Sequence, residues 1–473
     1  MKFGLLRTLI GVMLCQLSYS ASAQDFSSVI DPIITRHSPN AHVGVVIIDP
    51  KTGGTVYNRN GYQYFRPASN TKLVTALAGL YQLGPDFRYR TTMRTMEKKP
   101  ADRTTIAENL YVQFAGDPSL THTDLRALIH ELKQYGVKTI KGDVIVDTSV
   151  FSGPDHPTGA TLEDLNWYYL APVTSVILDR NIASVSIKAS DHLGGRPEIH
   201  PTKSGQALTI DNQMQTRTQS ESKLCPMDVQ MDNQNVAHFT GCWPIDFRQA
   251  YERLAVANPV LPAMKIIREQ LGRDGIQLIG QIRVGKAPQN SEVIATHESQ
   301  ALKDLLTRML GRSDNLYADS LLKTMGANRY QIGTFHAGVA SEKAVLQEHT
   351  SLNVDKMMLN DGSGMDDLLT PMQLSHCLLA IYQDGKMYRV FKNSLPINGK
   401  RGTLSNRMKS PLMIKRVIAK TGKLRDVSSL SGFVKAKSRK QYIFSIITNN
   451  HDLGYKAARR MESAILDAVI RHG

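Results

Sequence analysis

The pattern of hydrophobic and polar positions predicts a chain of mixed α and β structure. Near the start, an alternating stretch at 42–61 with two glycines in its loop predicts a β-hairpin. A helix is predicted next, where Pro67 precedes leucines and alanines spaced to form one buried face. Near the other end, three strand-like runs precede a closing helix from about 456 to 471. We therefore expect one antiparallel sheet with flanking helices, assembled from both ends of the chain.

The middle of the chain has a different pattern. From about 97 to 261, short strand-like segments are separated by turns rich in glycine and proline, which predicts β-rich inserted material. One helix is predicted inside it, with Thr123 as a possible cap for Asp124 to Tyr135. The predicted sheet-and-helix domain is therefore discontinuous and is interrupted by an insertion. The predicted segments are 24–96 and 262–473 for the discontinuous domain and 97–261 for the insertion.

The first residues have the pattern of a secretory signal peptide. Lys2 and Arg7 form a positive start, 9–17 is a short apolar core, and Ala21 to Ala23 is a small-residue cleavage site. We expect residues 1–23 to be removed and the mature protein to be periplasmic. No other apolar run reaches the roughly 18 residues that a membrane-spanning helix needs, so we expect no transmembrane span.

The net charge of the chain indicates which classes of binding partner to expect. The formal net charge of the 473 residues is +15, which favours anionic partners. Behind a signal peptide these are cell-wall carboxylates or membrane lipids before nucleic acid, although a generally basic protein would have the same charge. We predict no metal and no cofactor, because the chain has no H-E-x-x-H motif and its histidines are scattered. The oligomeric state is left open.

The cysteines predict one disulfide. Cys15 leaves with the signal peptide, whereas Cys225 and Cys242 flank a polar segment in an oxidising compartment. We therefore expect these two to be bonded. Cys377 lies in a helical pattern and is expected to be a buried small hydrophobic residue.

One S-x-x-K pattern has a chemically suitable context. The pattern occurs three times, at Ser69 and Lys72, Ser220 and Lys223, and Ser320 and Lys323. Only Ser69 lies at the first turn of an apolar helix, where free N–H groups favour developing negative charge. At a spacing of three, Lys72 projects over the same helix face. Burial and a second nearby cation would lower its pKa, so that it could activate the serine hydroxyl.

Two further motifs suit the same chemistry. Ser313 and Asn315 flank Asp314, and this spacing in extended or looped backbone supplies a proton-relaying hydroxyl and an amide that can hold a substrate peptide group. Lys420, Thr421 and Gly422 end a predicted strand. Here the cation and hydroxyl can bind a carboxylate, and the glycine lets substrate backbone approach. Lys51 to Gly53 repeats the K-T-G letters, but turn chemistry explains that copy.

Taken together, the three motifs resemble those of penicillin-binding proteins and class A β-lactamases. The chain is most similar to the class C, low-molecular-mass D-alanyl-D-alanine carboxypeptidase/endopeptidase family, penicillin-binding protein 4 type (peptidase S13). Further stretches carry the resemblance, among them GDPSLT, VDTSVF, APVTSVILDRN, LNDGSGM and LPINGKRGTLSNRM. The resemblance implies a β-lactamase/transpeptidase-like fold with two nested β-rich inserted domains. The long separation between Ser69 and Ser313 agrees with such insertions.

The family pattern also implies a role for individual residues. Ser69 would be the acylated nucleophile and Lys72 its base, with Ser313 as a proton shuttle and Asn315 as an amide contact. The remaining assignments form a longer set. Lys420 and Thr421 would hold the terminal carboxylate, the N–H groups of Ser69 and Lys423 would form the oxyanion hole, and Asp147 and Phe151 would face the substrate side chain.

Two departures affect specificity. Lys423 follows K-T-G where the family usually has serine or threonine, so a second hydroxyl is lost. The DGSG turn lacks the arginine that would meet the free carboxylate of a diaminopimelate stem peptide. Either Arg425 substitutes for it or the preferred stem is a modified one, and both alternatives stay open.

The sequence therefore predicts a serine DD-peptidase acting on peptidoglycan stem peptides through an acyl-enzyme, and acylated by β-lactams. Carboxypeptidase and endopeptidase action are not separated. A β-lactamase is an alternative, although no E-x-x-L-N-like element lies between Ser69 and Ser313. A non-catalytic peptidoglycan-binding protein is another, and the complete set of motifs disfavours it.

Overall fold

The computed structural model describes residues 26–97, 104–202, 207–451 and 453–473. The predicted signal peptide lies outside these residues. The α-helices in the described part are α1 Ser27–His37, α2 Thr71–Leu83, α3 His122–Gln134, α4 Gln219–Ser222, α5 Val260–Arg273, α6 Leu302–Arg312, α7 Asn315–Tyr330, α8 Phe335–His349, α9 Pro371–Gln383, α10 Gly385–Ser394 and α11 Gly454–His472.

The strands form several separate sheets. In chain order they are β1 His42–Ile48, β2 Thr55–Arg59, β3 Arg90–Thr95, β4 Thr105–Ile106, β5 Leu110–Gln113, β6 Thr139–Ile140, β7 Val144–Asp147, β8 Ile182–Lys188, β9 Glu198–Pro201, β10 Thr209–Asn212, β11 Gln215–Arg217, β12 Asp228–Met231, β13 Val236–Thr240, β14 Cys242–Pro244, β15 Gln249–Ala255, β16 Gln277–Leu278, β17 Ile282–Gly285, β18 Glu292–Glu298, β19 Val417–Lys423, β20 Val427–Lys435 and β21 Gln441–Asn449.

The central sheet joins the two ends of the chain. Its strand order is β19-β20-β21-β1-β2, and every neighbouring pair is antiparallel. Strands β20 and β21 are buried along almost their whole length because both faces of the sheet are covered. Helices α1 and α11 pack together over one face. The other face carries the larger core, to which α2, α6, α7 and α9 contribute. The predicted antiparallel sheet with flanking helices is confirmed.

A second five-stranded sheet belongs to the middle of the chain. Its order is β17-β7-β5-β3-β18, and α3 and α5 contribute to the hydrophobic core beside it. The capping box of α3 uses Thr121, two residues before the predicted Thr123, because the Asp124 side chain and backbone reciprocate its hydrogen bonds. Helix α3 consequently begins earlier than the sequence predicts.

Strand pairing bears on where the insertion begins and ends. Strands β3 and β18 pair with each other although they lie outside the predicted insertion 97–261. The smaller sheets of β8 to β15 are nested between β7 and β17, which are neighbours in the second sheet. On this pairing we propose that the outer insertion spans about 90–298 and the inner one about 182–256. The inner one contains the Cys225–Cys242 disulfide, which is formed as predicted.

Candidate active site

Ser69 lies in a short 3-10 turn, Ala68–Asn70, that leads directly into α2. Ala68 has a positive φ of 49°, which is uncommon for a residue with a side chain and is kept only where neighbours fix the backbone. The neighbours here are serines of β20. Ser429 Oγ donates to the Pro67 carbonyl at 2.7 Å, and Asn70 Nδ2 donates to Ser431 Oγ at 2.8 Å. The central sheet therefore holds the segment on both sides of Ser69.

Gly422 makes this close approach possible. A Cβ at Gly422 would lie 2.8 Å from the Pro67 carbonyl oxygen and would also collide with the Ser429 hydroxyl. The sequence predicts that this glycine admits substrate backbone. In the structure, the segment before Ser69 fills the space beside Gly422. Because Gly422 has no side chain, the turn that contains Ser69 can pack closely against this strand.

Lys72 is fully buried beside Ser69. Its Nζ lies 2.9 Å from Ser69 Oγ, and donates to Asn315 Oδ1 and to the Ser363 carbonyl, both at 2.7 Å. Burial lowers the pKa of Lys72 to about 8, and nearby carboxyl groups, above all Asp319, act in the opposite direction. A substantial neutral fraction of the amine therefore exists near neutral pH.

Ser313 and Asn315 sit at a junction of two helices. Ser313 ends α6 in the left-handed conformation, with φ of 60°, and Asn315 begins α7. The sequence predicts extended or looped backbone here. The observed tight turn brings both side chains towards Lys72 and Lys420. Asn315 Nδ2 donates to the Tyr169 carbonyl at 2.9 Å, so the middle of the chain holds this amide.

Asp314 fixes the same junction from the outside. Its Oδ2 accepts from Arg308 Nε at 3.0 Å and lies 3.4 Å from a guanidinium nitrogen of Arg180. Arg308 is on α6 and Arg180 belongs to a turn before β8. The carboxylate therefore ties the helix junction to the inserted material through two cations.

Lys420 is buried next to the second motif. Its Nζ donates to Ser313 Oγ at 2.7 Å and to the Thr421 carbonyl at 2.6 Å. Burial, with a smaller contribution from Lys72, lowers the pKa of Lys420 well below its usual range. Thr421 Oγ1 donates to Thr403 Oγ1 at 2.8 Å. Two hydrogen-bonded groups therefore lie side by side. One contains Ser69, Lys72 and Asn315, and the other contains Ser313 and Lys420.

These groups open into a cavity of about 1350 Å³. Ser69, Ser313 and Asn315 line it, together with Lys423 and Arg425. The complete set of cationic lining residues is Arg66, Arg180, Arg253, Arg308, Arg312, Lys423 and Arg425, and the acidic ones are Glu163, Asp164 and Asp314. The excess of cations suits a substrate with carboxylate groups.

Asp147 and Phe151 are not among the residues that line this cavity. Asp147 is fully buried at the end of β7, where its carboxylate accepts from Gln113 Nε2 and from the backbone N–H groups of Ser149 and Ala287. Phe151 is also buried, in the core beneath α7 and α8. Both side chains are buried in contacts within the protein, so they do not face the cavity that Ser69 lines.

The third S-x-x-K pair, Ser320 and Lys323, is explained by packing. Ser320 Oγ donates to the Gly116 carbonyl at 2.5 Å. Lys323 Nζ donates to the carbonyls of Pro154 and Val173 at 2.8 and 2.9 Å. Lys323 is buried and its pKa is lowered by desolvation to about 8, as for Lys72. It differs from Lys72 because no serine hydroxyl is among its hydrogen-bond partners, and it fastens inserted segments to α7.

The backbone groups that hold the side chains of Lys72 and Asn315 are not predicted from the sequence. The carbonyls of Ser363 and Tyr169 accept from Lys72 and Asn315, and a backbone carbonyl carries no signature of residue type. In the sequence, the DGSG stretch around Ser363 contributes to the family resemblance and lacks the expected arginine, and neither observation predicts a contact with Lys72. Its Asp-Gly-x-Gly composition, typical of a tight turn, was the available signal.

The residues that the structure describes contain neither a metal-binding cluster nor a membrane-spanning helix. They contain no cluster of three or more His, Cys, Asp or Glu side chains arranged to hold a metal ion. Across the same part of the chain, the helices are too short or too polar to cross a bilayer.

Comparisons with known proteins agree with this geometry. The D-Ala-D-Ala carboxypeptidase 3 (S13) family matches residues 27–470. The D-alanyl-D-alanine carboxypeptidase DacB of Haemophilus influenzae is 30% identical over 459 residues, which cover 96% of this chain and 94% of the relative.

Two solved structures are similar over nearly the whole chain. The crystal structure of penicillin binding protein 4 (dacB) from Haemophilus influenzae has a TM-score of 0.85 and 29% identity, covering 92% of this chain and 97% of that one. The same protein complexed with a novel β-lactam has a TM-score of 0.78 and 27% identity, with the same coverage of 92% and 97%.

Proposed function

The chain belongs to the D-Ala-D-Ala carboxypeptidase 3 (S13) family, and we propose that Ser69 is its nucleophile in a serine DD-peptidase reaction. The enzyme hydrolyses D-Ala-terminated peptides through a serine acyl-enzyme and is acylated by β-lactams. The family match, the carboxypeptidase name of the relative and the β-lactam complex of the structural neighbour support this activity. The natural substrates in this proposal are the stem peptides of peptidoglycan.

The observation that carries the proposal is the set of partners around Lys72 Nζ. Asn315 Oδ1 and the Ser363 carbonyl can only accept hydrogen bonds, so they occupy two N–H groups of the lysine. A neutral amine has only two N–H groups, and its lone pair is then left for Ser69 Oγ, which is 2.9 Å away. In this state the serine donates its proton to the lysine, as a general base requires.

The reaction follows from this arrangement. Ser69 Oγ forms a bond to the carbonyl carbon of the penultimate D-Ala as its proton passes to Lys72 Nζ. The carbonyl π electrons move to the oxygen, where the N–H groups of Ser69 and Lys423 are proposed to stabilise the oxyanion. Collapse re-forms the C=O bond and breaks the C–N bond, and the leaving amine takes the proton of the Ser313 hydroxyl, which Lys420 Nζ contacts. The proton that Lys72 accepted is proposed to replace it on the Ser313 oxygen, so that Ser313 is again a hydroxyl and Lys72 again a neutral amine. Water then hydrolyses the ester and releases Ser69.

The carboxylate of the substrate is proposed to bind near Lys420, Thr421 and Lys423. Lys423 and Arg425 both line the cavity, so the cation that follows K-T-G offers charge where the family usually has a hydroxyl. Arg425 is proposed to supply the arginine missing after the DGSG turn. The alternative is a modified stem peptide without that free carboxylate. Comparing Arg425→Ala with wild type on stems with and without the carboxylate separates these two possibilities.

We place this enzyme in the periplasm. The signal-peptide pattern of residues 1–23 and the Cys225–Cys242 disulfide support this location, because disulfides persist in oxidising compartments. Carboxypeptidase and endopeptidase action share the same acyl-enzyme. They differ only in whether the leaving amine is free D-Ala or the side-chain amine of a second stem peptide.

The deciding experiment incubates purified wild-type protein and Ser69→Ala with defined muropeptides and identifies the products by mass spectrometry. We expect loss of one D-Ala from pentapeptides, or separation of cross-linked dimers, with the wild type only. A labelled penicillin should mark the peptide that contains Ser69. Absence of labelling in folded wild type would refute the proposal, and rapid turnover of the antibiotic would favour the β-lactamase alternative.

A further inference from the structure

A buried carboxylate organises the turn beside the catalytic lysine. Asp361 is fully buried, and its Oδ1 accepts from the backbone N–H groups of Ser363 and Gly364 at 2.7 and 2.5 Å. Its Oδ2 accepts from the N–H groups of Met365 and Asp366, both at 3.0 Å. The Ser363 hydroxyl donates to Oδ1 at 3.1 Å. One side chain therefore fixes the whole backbone of 361–366.

This turn touches both partners of the acylation step. The Ser363 carbonyl accepts from Lys72 Nζ at 2.7 Å. Gly364 has a φ of +93°, and a Cβ there would collide with the carbonyl oxygen of Ala68, the residue before the nucleophile. The turn is consequently packed between the base and the nucleophile segment, with no room for an alternative backbone path at Gly364.

Other buried carboxyl groups support the same turn. Asp319 Oδ1 accepts from the Gly362 N–H at 2.9 Å, and Asp367 Oδ1 accepts from the Asn360 N–H at 2.8 Å. Burial raises the pKa of Asp319 to about 8 and that of Asp367 well above its usual range. Asp361 is distinguished from both by its four backbone N–H donors, the environment that stabilises a carboxylate charge.

We propose that Asp361 is a positioning residue for the general base. By fixing the turn, it keeps the Ser363 carbonyl on one N–H of Lys72 and so directs the lysine lone pair at Ser69. This inference rests on the proposed function and adds to it a residue that touches neither substrate nor the reacting hydroxyl.

The charged surroundings give the proposal a distinctive signature. The groups facing Lys72 are Asp314 from the α6–α7 junction, Asp319 from α7, Asp361 and Asp367 from the turn region, and Lys420 from β19. Asp361 raises the pKa of Lys72, so removing its charge shifts the ionisation of Lys72 to lower pH. Moving the turn without removing the charge has no such effect.

The test compares Asp361→Asn, Gly364→Ala and wild type by the pH dependence of acylation with a fluorescent penicillin. Saturation kinetics separate the acylation rate constant from the dissociation constant of the initial complex. Both variants should lose about 10²-fold in the plateau rate constant, since a displacement of about 1 Å is sufficient for such a loss. The acid limb should move to lower pH in Asp361→Asn only.

The matched control is Gly454→Ala. Gly454 has a φ of +77°, similar to Gly364, but a Cβ there meets no atom within 4 Å. Gly454→Ala also places a side chain on a residue with positive φ, but it displaces no neighbouring atom. Its acylation rate constant should therefore stay within about twofold of wild type.

Plateau rate constants within about threefold of wild type in both folded variants would overturn the inference and leave the proposed function intact. A lower plateau with an unmoved acid limb in Asp361→Asn would also overturn it, because loss of structure alone gives that result. If Asp361→Asn does not fold, the plateau of Gly364→Ala decides. Failure of wild type to be acylated refutes the proposed function itself.

Discussion

The Nζ atom of Lys72 lies 2.9 Å from the hydroxyl oxygen of Ser69 in a buried pocket. Its two other hydrogen-bond partners, the Asn315 amide oxygen and the Ser363 carbonyl, can only accept hydrogen bonds. The Ser69 hydroxyl is therefore the partner among these three that can donate a proton to a neutral lysine. This relationship joins the proposed base to the proposed nucleophile one helical turn away. It makes the protonation state of Lys72 the quantity on which acylation depends.

Replacing Lys72 by methionine should slow acylation of Ser69 by about 10²- to 10⁴-fold, the range that general-base catalysis contributes. The rate constant for labelling by a fluorescent penicillin measures this effect. Lys51→Met is the matched control, since Lys51 belongs to the exposed K-T-G copy between β1 and β2. An acylation rate of Lys72→Met within a few fold of the control would exclude Lys72 as the base.

Acylation should accelerate as the pH rises through about 8. The pKa of Lys72 is lowered to about 8, the neutral amine is the reactive form, and the neutral fraction grows up to and beyond that pH. The second-order rate constant, measured with wild type between roughly pH 6 and 10, should form an acid limb followed by a plateau. A flat profile over that interval is the contrary result.

Glu342 should make the folded protein less stable as the medium becomes more alkaline. It is fully buried on α8, and burial raises its pKa to about 8. The folded state therefore holds this proton more tightly than the unfolded state, so stability falls between about pH 4.5 and pH 8. Each unit of pKa difference is worth about 1.4 kcal/mol.

Glu342→Gln should consequently raise the free energy of unfolding near pH 8 by a few kcal/mol and flatten its pH dependence. Denaturant unfolding at several pH values measures both effects. Glu348→Gln on the same helix is the control, because that side chain is exposed and ion-paired with Arg329. A steeper pH dependence in Glu342→Gln than in wild type would contradict this prediction.

Removing the disulfide should affect stability and leave catalysis in place. Cys225 and Cys242 close a loop with a sequence separation of 17, for which the chain-entropy model gives about 3 kcal/mol. Neither cysteine lines the catalytic cavity. The double variant Cys225→Ser and Cys242→Ser should unfold at lower denaturant concentration, while its penicillin acylation rate should match wild type. Loss of acylation in a folded double variant would connect the inner insertion to the active site.

Arg425 should matter only for substrates with a free carboxylate on the third residue of the stem. Arg425→Ala should lower kcat/KM for the diaminopimelate stem by about 10-fold and leave the amidated stem unchanged, since it removes one charge-assisted contact. Arg439→Ala, at an exposed hairpin turn, is the control. Equal effects on both stems would favour the alternative of a modified natural stem.

The sequence predicts the chemical groups better than the structure that holds them. The three motifs locate Ser69, Lys72 and Lys420, and the strand-like runs at β19 to β21 predict the sheet, because both depend on residue types within single short stretches of sequence. For Gly422, the sequence does not show that Pro67 occupies the space that a side chain would fill. Asp147 was assigned by resemblance, and its burial depends on contacts with Gln113 and Ala287 that are far away in the sequence.

The central sheet has a consequence for biosynthesis. Strand β1, near the amino end, hydrogen-bonds to β21, and Lys420 lies on a strand that is translated hundreds of residues after Ser69. Ser69 is therefore synthesised before β20, whose Ser429 and Ser431 hold the segment around it in the folded protein. Under the proposed function, we therefore expect the Ser69 hydroxyl of an incomplete chain to be unreactive until the last strands have been made.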